Sequence, residues 1–160
     1  MVLVQLLLCA TVYSTLSMKR HTALIPFSKF HRSCLFLSLV TQHNAPQVKG
    51  YPTEINEKIR YAVTFYHRQL LPHFIQEEKV WNYASKQTPK LKALIETLQM
   101  EREVLKESFS LLEKTLKTDA LYKMSKLLEE HIRKEERQLF QLMQSELSEE
   151  QLLKIAHFEA

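Results

Sequence analysis

Apolar residues recur three and four positions apart through four long stretches of the chain, the spacing that gathers side chains on one face of an α-helix. The first stretch carries Phe27, Leu35 and Leu39, and the second carries Ile59, Val63, Tyr66, Leu70 and then Val80 or Trp81. The third carries Leu91, Leu94, Leu98, Leu105 and Leu112, and the fourth Leu121, Met124, Leu128, Leu139 and Leu142. Turn chemistry sets the limits. Pro26-Phe27-Ser28 opens a helix over about 27–43, and His43-Asn44-Ala45-Pro46 closes it, because a residue before proline resists helical geometry. Thr53 caps a second helix that runs to about Tyr83, with Pro72 inside it removing a backbone donor and predicting a bend. Thr88-Pro89 opens a third helix to about 117, and Thr118-Asp119 a fourth to about 144. Ser148-Glu149-Glu150-Gln151 starts a short last helix that ends near Phe158. The pattern predicts an all-α, up-down-up-down four-helix bundle with a short C-terminal helix.

Each stripe is broken once by side chains that can bind a metal, with apolar residues on both sides. The first is broken at His31, the second at His73 and Glu77, the third at Glu101, and the fourth at His131 and Glu135. A lone carboxylate in a bundle core is destabilising by several kcal/mol even after relaxation, at roughly the level of an unpaired buried ion. Three of them converging would repel one another unless protonated or neutralised, and a pair of metal ions would neutralise all three. Counted at about 1.5 Å per residue, the interruptions fall within a turn or two of one level along the bundle. The second and fourth stripes also echo each other. His73-Phe-Ile-Gln-Glu77-Glu78-Lys79 and His131-Ile-Arg-Lys-Glu135-Glu136-Arg137 share H-x-x-x-E-E-[K/R]. A single HxxxE arises often by chance, but two copies centred on two core stripes carry weight.

Composition narrows the function classes. One glycine and five prolines are a poor supply of turns for an all-β fold. The net charge of +4 is local: Lys19, Arg20, Lys29, Arg32 and Lys49 precede the first acidic residue, Glu54, and the remaining 17 basic residues face 18 acidic ones. Opposite signs are interspersed there, as on solvated helix faces, so no nucleic-acid partner is expected. Cys9 and Cys34 form no CxxC pair, which makes the reducing cytoplasm the default. Residues 1–17 form an uncharged apolar extension, short for a membrane span and without a basic start. We read it as an over-extended start, with residues 18–160 as the bundle, and expect no membrane association; were the extension genuine, an exported or anchored protein would follow.

The segments LLPHFIQEEKVW and LLEEHIRKEERQLF, with His31 upstream, resemble the hemerythrin family in its bacterial HHE cation-binding form, and the likeness runs from Met18 to about residue 145. That resemblance implies two iron ions joined by an oxo or hydroxo bridge, with manganese or zinc as alternatives. It makes His31 the first helix's ligand, His73 and His131 terminal ligands, and Glu77 and Glu135 bridging ones. The family also expects a histidine in the third helix. This chain has none there: Arg102, which cannot ligate, takes the aligned place, and Glu101 is the nearest acid able to substitute. The implied function is binding or reaction with dioxygen, peroxide or nitric oxide, in storage, sensing or the handling of iron and oxidative stress. Peroxidase- or ferroxidase-like turnover is compatible with it, though no catalytic residue is indicated. The alternative is a metal-depleted relative serving as a helical interaction or scaffold module.

Overall fold

The computed structural model describes residues 19–158; the extension over residues 1–17 lies outside the described residues. Helix α1 spans Ile25–Thr41, after a 3₁₀ turn at Thr22–Leu24 that His21 caps through Nδ1. Helices α2 (Ile55–Phe65) and α3 (Leu71–Ala84) form one rod joined by a π-turn at Tyr66–Leu70. Helix α4 spans Pro89–Thr115. Helices α5 (Thr118–Lys134) and α6 (Phe140–Glu146) form the fourth rod, joined by a second π-turn at Glu135–Leu139, and α7 (Glu149–Ala156) closes one end. The four rods make the expected antiparallel bundle: α5 packs against α1 and α4, and α2 against the same two.

Local chemistry explains the limits. The Thr88 hydroxyl accepts from the Leu91 N–H at 3.2 Å, with Pro89 at the first helical position, where its missing donor loses nothing. Ser148 and Gln151 cap α7 reciprocally. Pro72 cannot donate to the carbonyl four residues back, and the π-turn just before it absorbs the interruption: the Leu71 N–H reaches the Tyr66 carbonyl instead. Gly50, at φ 87°, supplies the left-handed turn in the α1–α2 connection.

Two apolar clusters fill the bundle, one at each end. The first includes Phe27, Trp81, Leu98, Phe140 and, from α7, Leu152 and Ile155. The second includes Cys34, Leu70, Leu105, Phe109 and Leu128. Each large side chain so buried contributes about 1.5–3 kcal/mol. Between them lies a layer of buried polar groups: His31, His73, Glu77, Arg102, His131 and Glu135.

Two seams run differently from the expected stripes. Past His31, α1 buries Cys34, Leu37 and Ser38, while Leu39 is 40% exposed. The small residues let α1 and α5 approach closely, and Ser125 Oγ donates to the Ser38 carbonyl at 2.8 Å. The α4 seam passes through Ile95, Leu98, Arg102 and Leu105, not through Leu94 and Glu101. Among the described residues no helix is long and apolar enough to cross a membrane.

Candidate metal centre

The polar layer is built from one or two residues of each rod. His31 enters from α1; His73 and Glu77, one turn apart, from α3; Arg102 from α4; and His131 from α5, with Glu135 beginning the π-turn that follows. Four nitrogen–oxygen separations in the layer are 3.0 Å: His31 Nε2 to Glu77 Oε1, His31 Nε2 to Glu135 Oε2, His73 Nε2 to Glu77 Oε1, and His131 Nε2 to Glu135 Oε1. Only the first has the alignment of a hydrogen bond; His73 Nε2, both His131 nitrogens and Glu135 Oε2 are buried without one. Buried polar atoms at hydrogen-bond distance that do not hydrogen-bond each other are compatible with ligands of an ion. Two donors at right angles, each about 2.1 Å from one ion, lie about 3.0 Å apart.

The donors form a usable set on one side. His31, His73 and Glu77 each present a ligand atom within 4.8 Å of the others, all three buried. His31 is also held from behind: its Nδ1 lies 2.7 Å from Glu136 Oε1, a half-buried carboxylate that accepts from Ser28 at 3.1 Å and Arg20 at 2.7 Å as well. A carboxylate on Nδ1 fixes the ring's orientation and leaves Nε2 facing the layer, as is usual behind metal-bound imidazoles. On this side the residues fit an ion.

The other side is different. Arg102 lies 5% exposed in the layer, its Nη2 2.5 Å from Glu77 Oε2 and 3.3 Å from Glu135 Oε1, while Nη1 donates to the Phe74 carbonyl at 3.3 Å. The guanidinium is stacked 3.6 Å from the Trp81 ring centre and 4.4 Å from that of Phe74. Phe74, Glu77 and Trp81 share one face of α3, so a single helix supplies both rings and one of the carboxylates. Glu101 stands at the rim. Its side chain is 35% exposed, ion-paired with Lys134, and its nearer approach to the layer is 3.8 Å, to His131 Nδ1.

Charges within the layer hold one another. Burial pushes the Glu77 carboxyl up, but His73, Arg102 and His31 together hold it well below the usual range. Burial and the neighbouring Glu77 also push Glu135 up, and the histidines outweigh them to bring it to about 2. Burial disfavours the charged form of His31, yet Glu135, Glu136 and Glu77 raise its pKa well above the ordinary value.

The structure thus brings together His31, His73, Glu77, His131 and Glu135 and leaves Glu101 outside. Two members of the arrangement are absent from the sequence-based set, Glu136 and Arg102. The double E-E of the echoed motif carried a signal for Glu136, and the lack of a third-helix histidine marked the place of Arg102.

An all-α bundle with imidazoles and carboxylates converging at mid-height defines a class of metal-binding helical bundles. The model of the hemerythrin HHE cation binding domain family matches residues 30–143, and the chain belongs to that family. No curated protein and no solved structure gives a significant match.

Proposed function

We propose that this protein is a non-haem metal protein whose ion is seated on His31, His73 and Glu77, and that iron is the metal it uses. His131 belongs to the same layer on its far side, and Glu101 has at most an outer role there. The observation that carries the reading is a set of three buried donors, His31, His73 and Glu77, within 4.8 Å of one another, in which His73 Nε2 lies 3.0 Å from Glu77 Oε1 without a hydrogen bond. Bound iron supplies a redox-active position open to a small ligand such as dioxygen, peroxide or nitric oxide.

The chain's own residues do the rest. Glu136 fixes His31, the apolar clusters above and below keep water out of the layer, and Phe30 lies 4.1 Å from the His73 ring, restricting its rotation. A cleft of about 500 Å³ reaches His31 and is rimmed by Lys19, Arg20, Lys29 and Arg32, so an approaching small molecule meets positive potential. Storage, sensing and stress handling all fit such a site.

Metal analysis and near-ultraviolet absorption of protein purified from iron-replete cells test the reading. Bound iron, with a melting temperature lowered by chelation, is the expected result. A fully helical protein that takes up neither iron, manganese, zinc nor cobalt and melts identically with chelator overturns it, and the scaffold alternative then stands.

A further inference from the structure

The two-ion expectation requires a second cation on the far side of the layer, facing Glu77 Oε2, Glu135 Oε1 and His131 Nε2. A cation is already there. Arg102 Nη2 approaches the first two of these atoms at 2.5 and 3.3 Å, so an ion could bridge them only by displacing the guanidinium. Displacement is opposed by everything that holds Arg102: the Trp81 and Phe74 rings on its faces and the Phe74 carbonyl on Nη1.

Charge leads to the same place. With the imidazoles acting as neutral donors, Glu77, Glu135 and Arg102 leave the layer a single negative charge. One divalent ion over-compensates that slightly; a second would put strong unbalanced positive charge into a buried volume and beside a fixed cation. His131 shows the consequence: it is buried, it lies 3.0 Å from Glu135, and neither ring nitrogen makes a hydrogen bond. It is a donor left without the rest of its set.

We propose that Arg102 is a built-in replacement for a second metal ion, so that the protein binds one ion, on the His31–His73 side of Glu77. The inference rests on the metal reading above, and the test separates the two. The full chain, stripped with chelator, is titrated anaerobically with cobalt(II); ions retained after desalting are counted, and the visible spectrum is followed. Wild-type protein is expected to saturate at one ion per chain, and Arg102→His, which exchanges the cation for a donor, at two. Arg102→Gln, closer in shape, serves if the histidine variant fails to fold, and is expected to admit a weaker second ion. Two ions in the wild type overturn the inference and leave the metal reading intact. None in the wild type overturns both. A single ion in both folded variants also overturns it, because Arg102 would then not be what excludes the second.

Discussion

On one side of the buried layer, His31 and His73 bring ring nitrogens to 3.0 Å from Glu77 Oε1; on the other, His131 brings one to the same distance from Glu135 Oε1. The residue types match, but their surroundings do not. His31 has Glu136 at 2.7 Å behind it, whereas the nearest carboxylate behind His131 is Glu101 at 3.8 Å, drawn outward to Lys134. On the first side the nearest guanidinium, Arg20, is held behind Glu136, whereas the second holds a stacked guanidinium within the layer. The difference teaches that a core of acids demands positive charge without specifying its form. Three carboxylates on seams imply cations, but they do not count ions, because an arginine laid along a helix face answers the same electrostatic demand.

The largest effect on this contrast should come from Arg102→Met. Removing one member of a buried charged cluster leaves Glu77 and Glu135 with only the histidines to compensate them, which destabilises by up to about 3–5 kcal/mol. Urea denaturation with chelator present measures it, and added cobalt(II) should recover more stability in the variant than in the wild type. A loss under about 1 kcal/mol would mean that the ion pairs contribute nothing net and that the stacking alone holds Arg102.

Next come the two histidines, one from each side. His73→Ala is expected to weaken cobalt(II) binding at least about a hundredfold, roughly 3 kcal/mol, and His131→Ala to change it by less than about threefold. Equal losses would erase the distinction between the sides and restore a shared two-ion centre.

Much of this was legible in the sequence, and the failures have physical causes. Helix limits agree within about two residues, at α4 and α7 because Thr88, Pro89, Ser148 and Gln151 act through strong local rules, whereas the caps expected at Thr53 and Thr118-Asp119 do not form: α2 follows Glu54 and α5 follows Lys117, neither with a side-chain cap. The level of the layer was legible too, since His31, His73, Glu77, His131 and Glu135 interrupt otherwise apolar seams. The third helix was not. From Leu98 the seam can step three residues to Glu101 or four to Arg102, and a period of 3.6 permits both. Ligand chemistry favours the acid; the charge of the whole layer favours the arginine, and that is apparent only once Glu77 and Glu135 are seen on either side of it. Glu136 was hidden for a different reason. The echoed motif places a second glutamate after each core one, but Glu78 continues a regular helix and is exposed, while Glu136 lies in a π-turn that swings it toward His31. Nothing in the composition of Glu135–Leu139 announces that turn.

Acid and alkali act on the layer in opposite senses. Glu135 at about 2 and Glu77, well below the carboxylate range, stabilise the metal-free fold above pH values of about 4.3, and that stabilisation is lost as pH falls through their folded values. His31, raised in the fold, contributes fully below about 6.5 and loses its contribution as pH rises through its raised value. From these three groups, the metal-free protein is most stable between about pH 4.5 and 6.5. An ion on His31 Nε2 must displace that proton, so affinity should tighten by up to about tenfold per pH unit, roughly 1.4 kcal/mol, as pH rises toward the raised value of His31, and level off beyond it. Calorimetry in buffers of different ionisation enthalpy counts the proton. If none is released, the ion is not on His31.

The smallest expected effect is at Glu101. A set of ligands drawn from the apolar spacing alone gives Glu101 the third helix's ligand role, and its removal would then take an ion away. In the fold it is a rim residue, one-third exposed and paired with Lys134, so its contribution is that of a surface ion pair, about 0–1 kcal/mol. Glu101→Ala should leave cobalt(II) stoichiometry unchanged and move the melting temperature by only a few degrees. Should the variant lose an ion while remaining fully helical, Glu101 must swing inward to bind, and the far side of the layer would be a ligand set after all.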